Sequence, residues 1–189
     1  MMKQIWKAGN LLNPTPVVMV SCAGRQSRPN IITLAWAGTV CSEPPMLSVS
    51  IRKERYSYSI IRESGEFVVN LVSADLAKAC DFCGVKSGRD LDKFSAMNLT
   101  AAPAPGLSVA PLIAESPLSL SCKLEQVMEL GSHDLFLGRI LQVAVEDSLL
   151  DSMGKLDLKR ADLIAYSHGE YLRLGEELGR FGFSVRKNQ

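Results

Sequence analysis

The chain has 189 residues and a mass of 20.6 kDa, and 47% of its residues are hydrophobic, enough to bury a real core in one domain spanning 1–189. Lys plus Arg number 21 against 20 Asp plus Glu, and a formal net charge of +1 gives no general pull toward nucleic acid or an anionic membrane. No apolar run approaches the roughly 20 residues of a membrane span, and MMKQIWKAGN lacks a signal-peptide core, so a soluble, cytoplasmic protein is expected.

In chain order, apolar and β-branched runs predict strands near 16–22, 30–36, 46–52, 66–72, 117–129, 135–146 and 163–174. Helical spacing predicts helices near 56–64 and 74–83 and a short turn of helix around 90–96. Ala37-Gly38-Thr39 and Glu43-Pro44-Pro45 read as breaks between two of the strands. None of the breakers is long or polar enough for an interdomain linker. Helices do not alternate regularly with strands, which predicts a mainly antiparallel β-barrel with helices added at its rim.

One strand raises a chemical question. Side chains alternate along Met46–Arg52, so Leu47, Val49 and Ile51 share one face while Ser48, Ser50 and Arg52 line the other. Arg52 offers a planar fork, the serines offer short donors, and Tyr56-Ser57 follow at a helix start, where free backbone N–H groups favour an anion. That set describes a phosphate corner. It also describes the solvated face of a half-buried strand, and spacing alone favours that plainer reading. The neighbouring stretch Ala35-Trp36-Ala37-Gly38-Thr39-Val40-Cys41 is small and uncharged, so its backbone can approach a flat polar ring.

Several chemistries lack their motifs. No G-x-G-x-x-G follows a strand, and no phosphate-binding G-x-x-x-x-G-K-[ST], H-E-x-x-H or G-x-S-x-G is present. The five cysteines are an odd number in a chain large enough not to need staples, so a reducing compartment fits best. Cys80 and Cys83 form a C-x-x-C without a second pair, and Ala77-x-x-Cys80-x-x-Cys83 reads as one helix face; no metal site is expected.

TLAWAGTVCSEPPMLSVSIR, then RYSYSIIRESGEFVVNL, DFCGVKSGRDLDKF and GSHDLFLGRI, in this order, resemble the flavin reductase-like, FMN-binding split-barrel family, and within it the flavoredoxin-like group. The resemblance runs from Asn13-Pro14 to Arg180-Phe181-Gly182. It implies a six-stranded antiparallel Greek-key split barrel, a homodimer, and one non-covalent FMN per subunit near the dimer interface. By the same resemblance, Thr33 and Ala35 to Cys41 lie along the isoalloxazine, while Ser50, Arg52, Tyr56 and Ser57 lie toward the phosphate, with Arg52 its first ligand. The resemblance also places Lys86-Ser87-Gly88-Arg89-Asp90 and Lys93-Phe94, a positively charged, glycine-containing loop, over the flavin edge or phosphate. His133, in Gly131-Ser132-His133-Asp134, falls where the nicotinamide of NADH or NADPH docks and is the catalytic candidate. Tyr166 and His168 are further pocket-lining candidates, and Trp6 reads as core or dimer-interface packing.

Three functions follow for comparison. An NAD(P)H-dependent flavin reductase passes electrons from FMN to free flavin, a metal ion or a partner protein. A flavoredoxin-type carrier receives them from a redox partner protein and needs no nicotinamide site. A barrel used only for assembly leaves the polar row unexplained.

Overall fold

The computed structural model describes residues 1–185. Its strands are β1 (Thr15–Pro16), β2 (Val18–Cys22), β3 (Asn30–Leu34), β4 (Ala37–Ser42), β5 (Pro45–Ile51), β6 (Glu66–Leu71), β7 (Ala101–Pro103), β8 (Pro111–Ile113), β9 (Leu118–Glu129), β10 (Asp134–Val145), β11 (Ile164–Ser167) and β12 (Glu170–Arg173). The helices are α1 (Tyr56–Ser64), α2 (Ala77–Val85) and α3 (Lys93–Ala96), with short 3-10 turns between elements.

The main sheet is antiparallel and runs β3-β2-β6-β9-β10-β5-β4. Its two outermost strands, β3 and β4, are joined by only Ala35 and Trp36. Seven flat strands would place those edges roughly 29 Å apart, yet a two-residue link reaches at most about 11 Å. The sheet must therefore roll up, and the corner at Ala35-Trp36 draws its edges together. The roll is a split barrel of seven strands, not the six expected. β4 is the addition: Ala37-Gly38-Thr39, which reads as a break, is strand because Ala37, Gly38 and Thr39 pair with Val49, Ser48 and Leu47. The predicted 163–174 strand is a hairpin, β11 and β12, that turns at His168-Gly169, both with positive φ, and pairs with β1 in a small separate sheet.

Period-two alternation sorts the core. Val18, Val20, Ile32, Leu47, Val49, Ile51, Phe67 and Phe136 fill the barrel interior, where Tyr58, Ile60 and Ile61 of α1 pack against them. Val17, Met19 and Ile31 point to the opposite face and are covered by Cys80 and Cys83 of α2 and Phe94 of α3. Each large apolar side chain of α1 buried in this way contributes roughly 1.5–3 kcal/mol. Helix α1 stops at Gly65, whose left-handed φ of 69° lets its N–H reach the Ile61 carbonyl at 2.9 Å. Among the described residues no helix is long and apolar enough to cross a membrane.

Gly138 in β10 marks the tightest point of the barrel wall. A Cβ there would run into the ring of Phe67, which is fully buried and has nowhere to move. Gly138→Ala is expected to lower stability by about 1–3 kcal/mol, read as a lower urea midpoint at unchanged slope. A midpoint equal to that of the parent would refute this packing.

Candidate functional site

Two adjoining hollows open beside the start of α1. The larger, about 490 Å³, is walled by Thr33, Ala35 and Trp36 at the barrel corner, by Ser50 and Arg52, and by His133. Tyr166 and Tyr171 of the β11–β12 hairpin close its far side. The smaller, about 380 Å³, is formed by Tyr56 and Ser57 in the first turn of α1 and by Lys86, Ser87 and Arg89 after α2. Ile32 and Arg55 line both hollows, so they are halves of one groove.

His133 precedes β10, at the strand entrance its sequence context predicts. Its ring centroid lies 4.5 Å from that of Trp36 with the planes tilted by 42°, and Ser132 Oγ is 2.9 Å from its Nδ1. Burial, followed by the nearby Arg52 guanidinium, pushes the imidazole below its ordinary 6.5, with Glu54 pulling the other way. The ring is therefore neutral at physiological pH. The next residue anchors it: Asp134 is fully buried and accepts from the Tyr58 hydroxyl at 2.7 Å and from Leu130 N–H at 3.4 Å. The Tyr58 hydrogen bond, opposed by desolvation, holds this carboxyl below its usual range. Because Tyr58 belongs to α1, the contact fixes the His133 turn relative to the helix whose start forms the second hollow.

That second hollow is cationic. The first N–H groups of α1 have no partner within the helix, and the N-cap, Arg55, makes no side-chain cap. Arg55, Lys86 and Arg89 surround them. Asn30 Nδ2 donates to Ser57 Oγ at 2.8 Å, Arg28 Nη2 donates to the Gly88 carbonyl at 2.9 Å, and Arg89 Nη1 donates to the Glu54 carbonyl at 3.1 Å. The Arg89 guanidinium also lies 5.4 Å from the Tyr56 ring centroid. A Cβ at Gly88 would collide with the Asn30 side chain, so only glycine lets this loop come so close. Unpaired helical N–H groups among three cations suit a phosphate, and the open aromatic slot next to them suits a flat ring.

The groove brings together Thr33, Ala35, Trp36, Ser50, Arg52, Tyr56, Ser57, Lys86, Ser87 and His133. Other candidates lie elsewhere. Gly38, Thr39 and Val40 are exposed along the edge strand β4, and Ala37 and Cys41 share that strand and do not line the groove. Lys93 borders the smaller hollow but is 3% exposed, and its Nζ donates to the Ile31 and Cys83 carbonyls at 2.7 Å each. It is a strut between β3 and α2 rather than a free surface charge. Phe94 is buried in the core beneath α2. Arg52 lines the larger hollow with His133 and is paired to Glu54 at 3.4 Å, while Arg55 spans both halves. His168 is exposed in the hairpin turn, whereas its neighbour Gly169 borders the groove. Trp6 is 77% exposed. Cys80 and Cys83 are buried thiols that burial pushes up to about 12 and about 11, which suits packing, not nucleophilic chemistry. The described residues hold no cluster of metal ligands.

Sequence reasoning missed Arg55 as a phosphate ligand, and Asn30 and Tyr171 altogether. Arg55 carried a usable signal, a cation directly before a helix start. The other two arrive through tertiary folding alone, whereas Arg89 lies in the charged loop that the resemblance sets over the flavin edge or phosphate.

A rolled antiparallel sheet with a groove beside its closing corner is the split-barrel class of fold, and the chain belongs to the flavin reductase like domain family, whose model matches residues 11–175. It is similar to the flavoredoxin of Desulfovibrio vulgaris (Miyazaki F), at 36% identity and a TM-score of 0.89 over 97% of this chain and 99% of that one. The flavoredoxin from Methanosarcina acetivorans is 28% identical with a TM-score of 0.87, covering 97% of each chain. A high molecular weight rubredoxin of Moorella thermoacetica is 32% identical over 109 residues, 56% of this chain and 45% of that protein.

Proposed function

We propose that this protein is an FMN-dependent oxidoreductase reduced by NADH or NADPH, which passes the electrons on to free flavin, a metal ion or a partner protein. The observation that carries the reading is the groove itself, where a cationic helix start adjoins an open aromatic slot. Bound FMN supplies the chemistry, accepting a hydride and releasing electrons singly or in pairs. The chain positions and shields. Arg55 and the N–H groups of Tyr56 and Ser57 hold a phosphate dianion; Thr33, Ala35 and Trp36 border the slot for the ring; and neutral His133, steadied by Asp134, presents a polar edge where the donor docks.

A second reading is an FMN electron carrier without its own nicotinamide site, favoured by the similarity to two flavoredoxins along almost the whole chain. One experiment separates them. Purified protein reconstituted with FMN is expected to bind one FMN per chain, and its visible absorbance is expected to bleach within seconds when mixed anaerobically with NADH or NADPH. A protein that binds FMN but bleaches only with a protein donor is the carrier, and failure to bind FMN defeats both.

The reading includes a homodimer. Ile5, Trp6, Leu12, Leu178 and Phe181 lie exposed on the terminal segments, more large apolar side chains than one copy covers. Light scattering is expected to return roughly twice the 20.6 kDa chain mass across a wide concentration range. A monomer with FMN bound at all concentrations would sink this part.

A further inference from the structure

Among the described residues Asp134 is the only buried carboxylate, with 0% of its surface exposed. A carboxylate stripped of water is costly unless its lone pairs are met, so its place in the fold calls for a reason. Three groups meet this one. The Tyr58 hydroxyl of α1 donates at 2.7 Å, Leu130 N–H after β9 donates at 3.4 Å, and Lys53 Nζ, between β5 and α1, stands 3.6 Å away while also facing Glu129 at 3.5 Å. Three segments of chain thus converge on the residue directly after His133.

The imidazole of His133 has no comparable tie of its own. Its hydrogen-bond partner is Ser132, its neighbour in sequence, and its aromatic contact is Trp36. What holds the ring at the slot is its backbone, and what holds that backbone is Asp134. Neither Tyr58 nor Asp134 lines the slot or the cationic hollow, so neither touches a ligand there. The Tyr58 ring packs edge-on to Phe136 in the barrel interior, centroids 5.1 Å apart and planes at 84°, a place that phenylalanine would fill equally well. Only the hydroxyl calls for tyrosine: it donates to Asp134 and accepts from Nη1 of the exposed Arg62 at 3.3 Å.

We propose that Tyr58 and Asp134 are positioning residues for the redox half of the groove: the buried hydrogen bond between them sets the His133 imidazole beside Trp36, where a hydride donor meets the ring in the slot. The proposal rests on the flavin and nicotinamide reading of the groove. Its rate effect follows from alignment, since a small displacement of a group that orients the donor is costly in rate while leaving the cofactor's own contacts intact.

The test uses Tyr58→Phe, which keeps the ring and its contact with Phe136 and removes only the hydroxyl, and Asp134→Asn, which keeps the shape and removes the charge. At saturating FMN and NADH, Tyr58→Phe is expected to slow anaerobic bleaching about tenfold with FMN affinity changed less than twofold. Placed in the His133→Ala protein, the same substitution is expected to slow it by less than twofold more, because its effect passes through the imidazole. Asp134→Asn is expected to slow bleaching in the same His133-dependent way. A second readout needs no flavin: the two histidine resonances are followed by NMR against pH, with His168→Gln identifying His133. Burial and Arg52 hold the His133 imidazole below its ordinary 6.5, Glu54 opposes them and Arg55 adds to the depression. In Tyr58→Phe those charges remain, as do Lys53, Glu129 and Arg62 around Asp134, and the midpoint is expected to rise toward 6.5 as the freed ring gains water. Wild type that bleaches while Tyr58→Phe bleaches equally fast overturns the positioning role alone. So does an equal slowing with and without His133, or an unmoved His133 midpoint, either of which leaves the pair a purely structural contact. Wild type that binds FMN and bleaches with neither nicotinamide overturns the donor reading and the positioning role together.

Discussion

Arg55→Ala is expected to weaken FMN about 10- to 100-fold while leaving riboflavin, which has no phosphate, bound as before. Arg55 lines both halves of the groove and caps α1 through its backbone: its N–H donates to the Arg52 carbonyl at 3.1 Å, and its own carbonyl accepts from Tyr58 N–H at 3.0 Å. Alanine keeps those backbone bonds, so the helix start survives and only the guanidinium is lost. A charge-assisted contact to a phosphate contributes roughly 1.5–3 kcal/mol, which sets the size of the effect. Arg52→Ala is expected to cost less, under about tenfold, because Arg52 is exposed, already paired with Glu54, and on the aromatic side of the groove. Fluorescence titration of both variants with both flavins checks the order. Equal FMN affinity in Arg55→Ala and wild type would remove the phosphate from the α1 start.

His133→Ala is expected to slow anaerobic reduction by NADH or NADPH on the order of 100-fold with FMN affinity changed by less than a factor of about three, because a small loss of donor alignment is costly in rate. The residue touches the groove through its ring beside Trp36 and not through the cationic hollow. Its titration gives a second readout. Burial depresses the imidazole pKa, so the folded state prefers the neutral ring. Protonation therefore occurs below the ordinary 6.5, and as pH falls through that window the unfolded chain takes up its proton first and stability declines. The wild-type reduction rate is expected to be flat with respect to His133 above about pH 6.5 and to break only below it. Stopped-flow traces across pH, for wild type and His133→Ala, decide the matter: a fast mutant beside a fast wild type, or a break near pH 7.5 that disappears in the mutant, would end the role assigned here.

The strands and helices whose side chains speak for themselves were legible. Helix α1 runs from Tyr56 to Ser64 as its apolar spacing and the following Gly65 indicate, and β5 alternates buried Leu47, Val49 and Ile51 with half-exposed Ser48 and Ser50. The four sequence blocks also pointed to the family. Local pattern carries such information because burial of one face is imposed residue by residue.

What depended on distant partners was hidden. Ala37-Gly38-Thr39 has poor strand propensity, and only pairing with β5 makes it β4, the strand that turns six into seven. Lys93 looked like a surface cation in a charged loop, but two backbone carbonyls brought together by β3 and α2 take its ammonium into the interior. Arg52 and Arg55 are indistinguishable in a string that reads Arg-Lys-Glu-Arg, and only the helix start decides which of them spans the two hollows. Composition, period and motif determined that this is a mainly antiparallel β barrel in which a polar strand face, Ser48, Ser50 and Arg52, leads into a helix start. The rolled sheet alone decided that Trp36, His133 and Tyr171, far apart along the chain, face the same space, because closure of a barrel sets distances in space that no local spacing encodes.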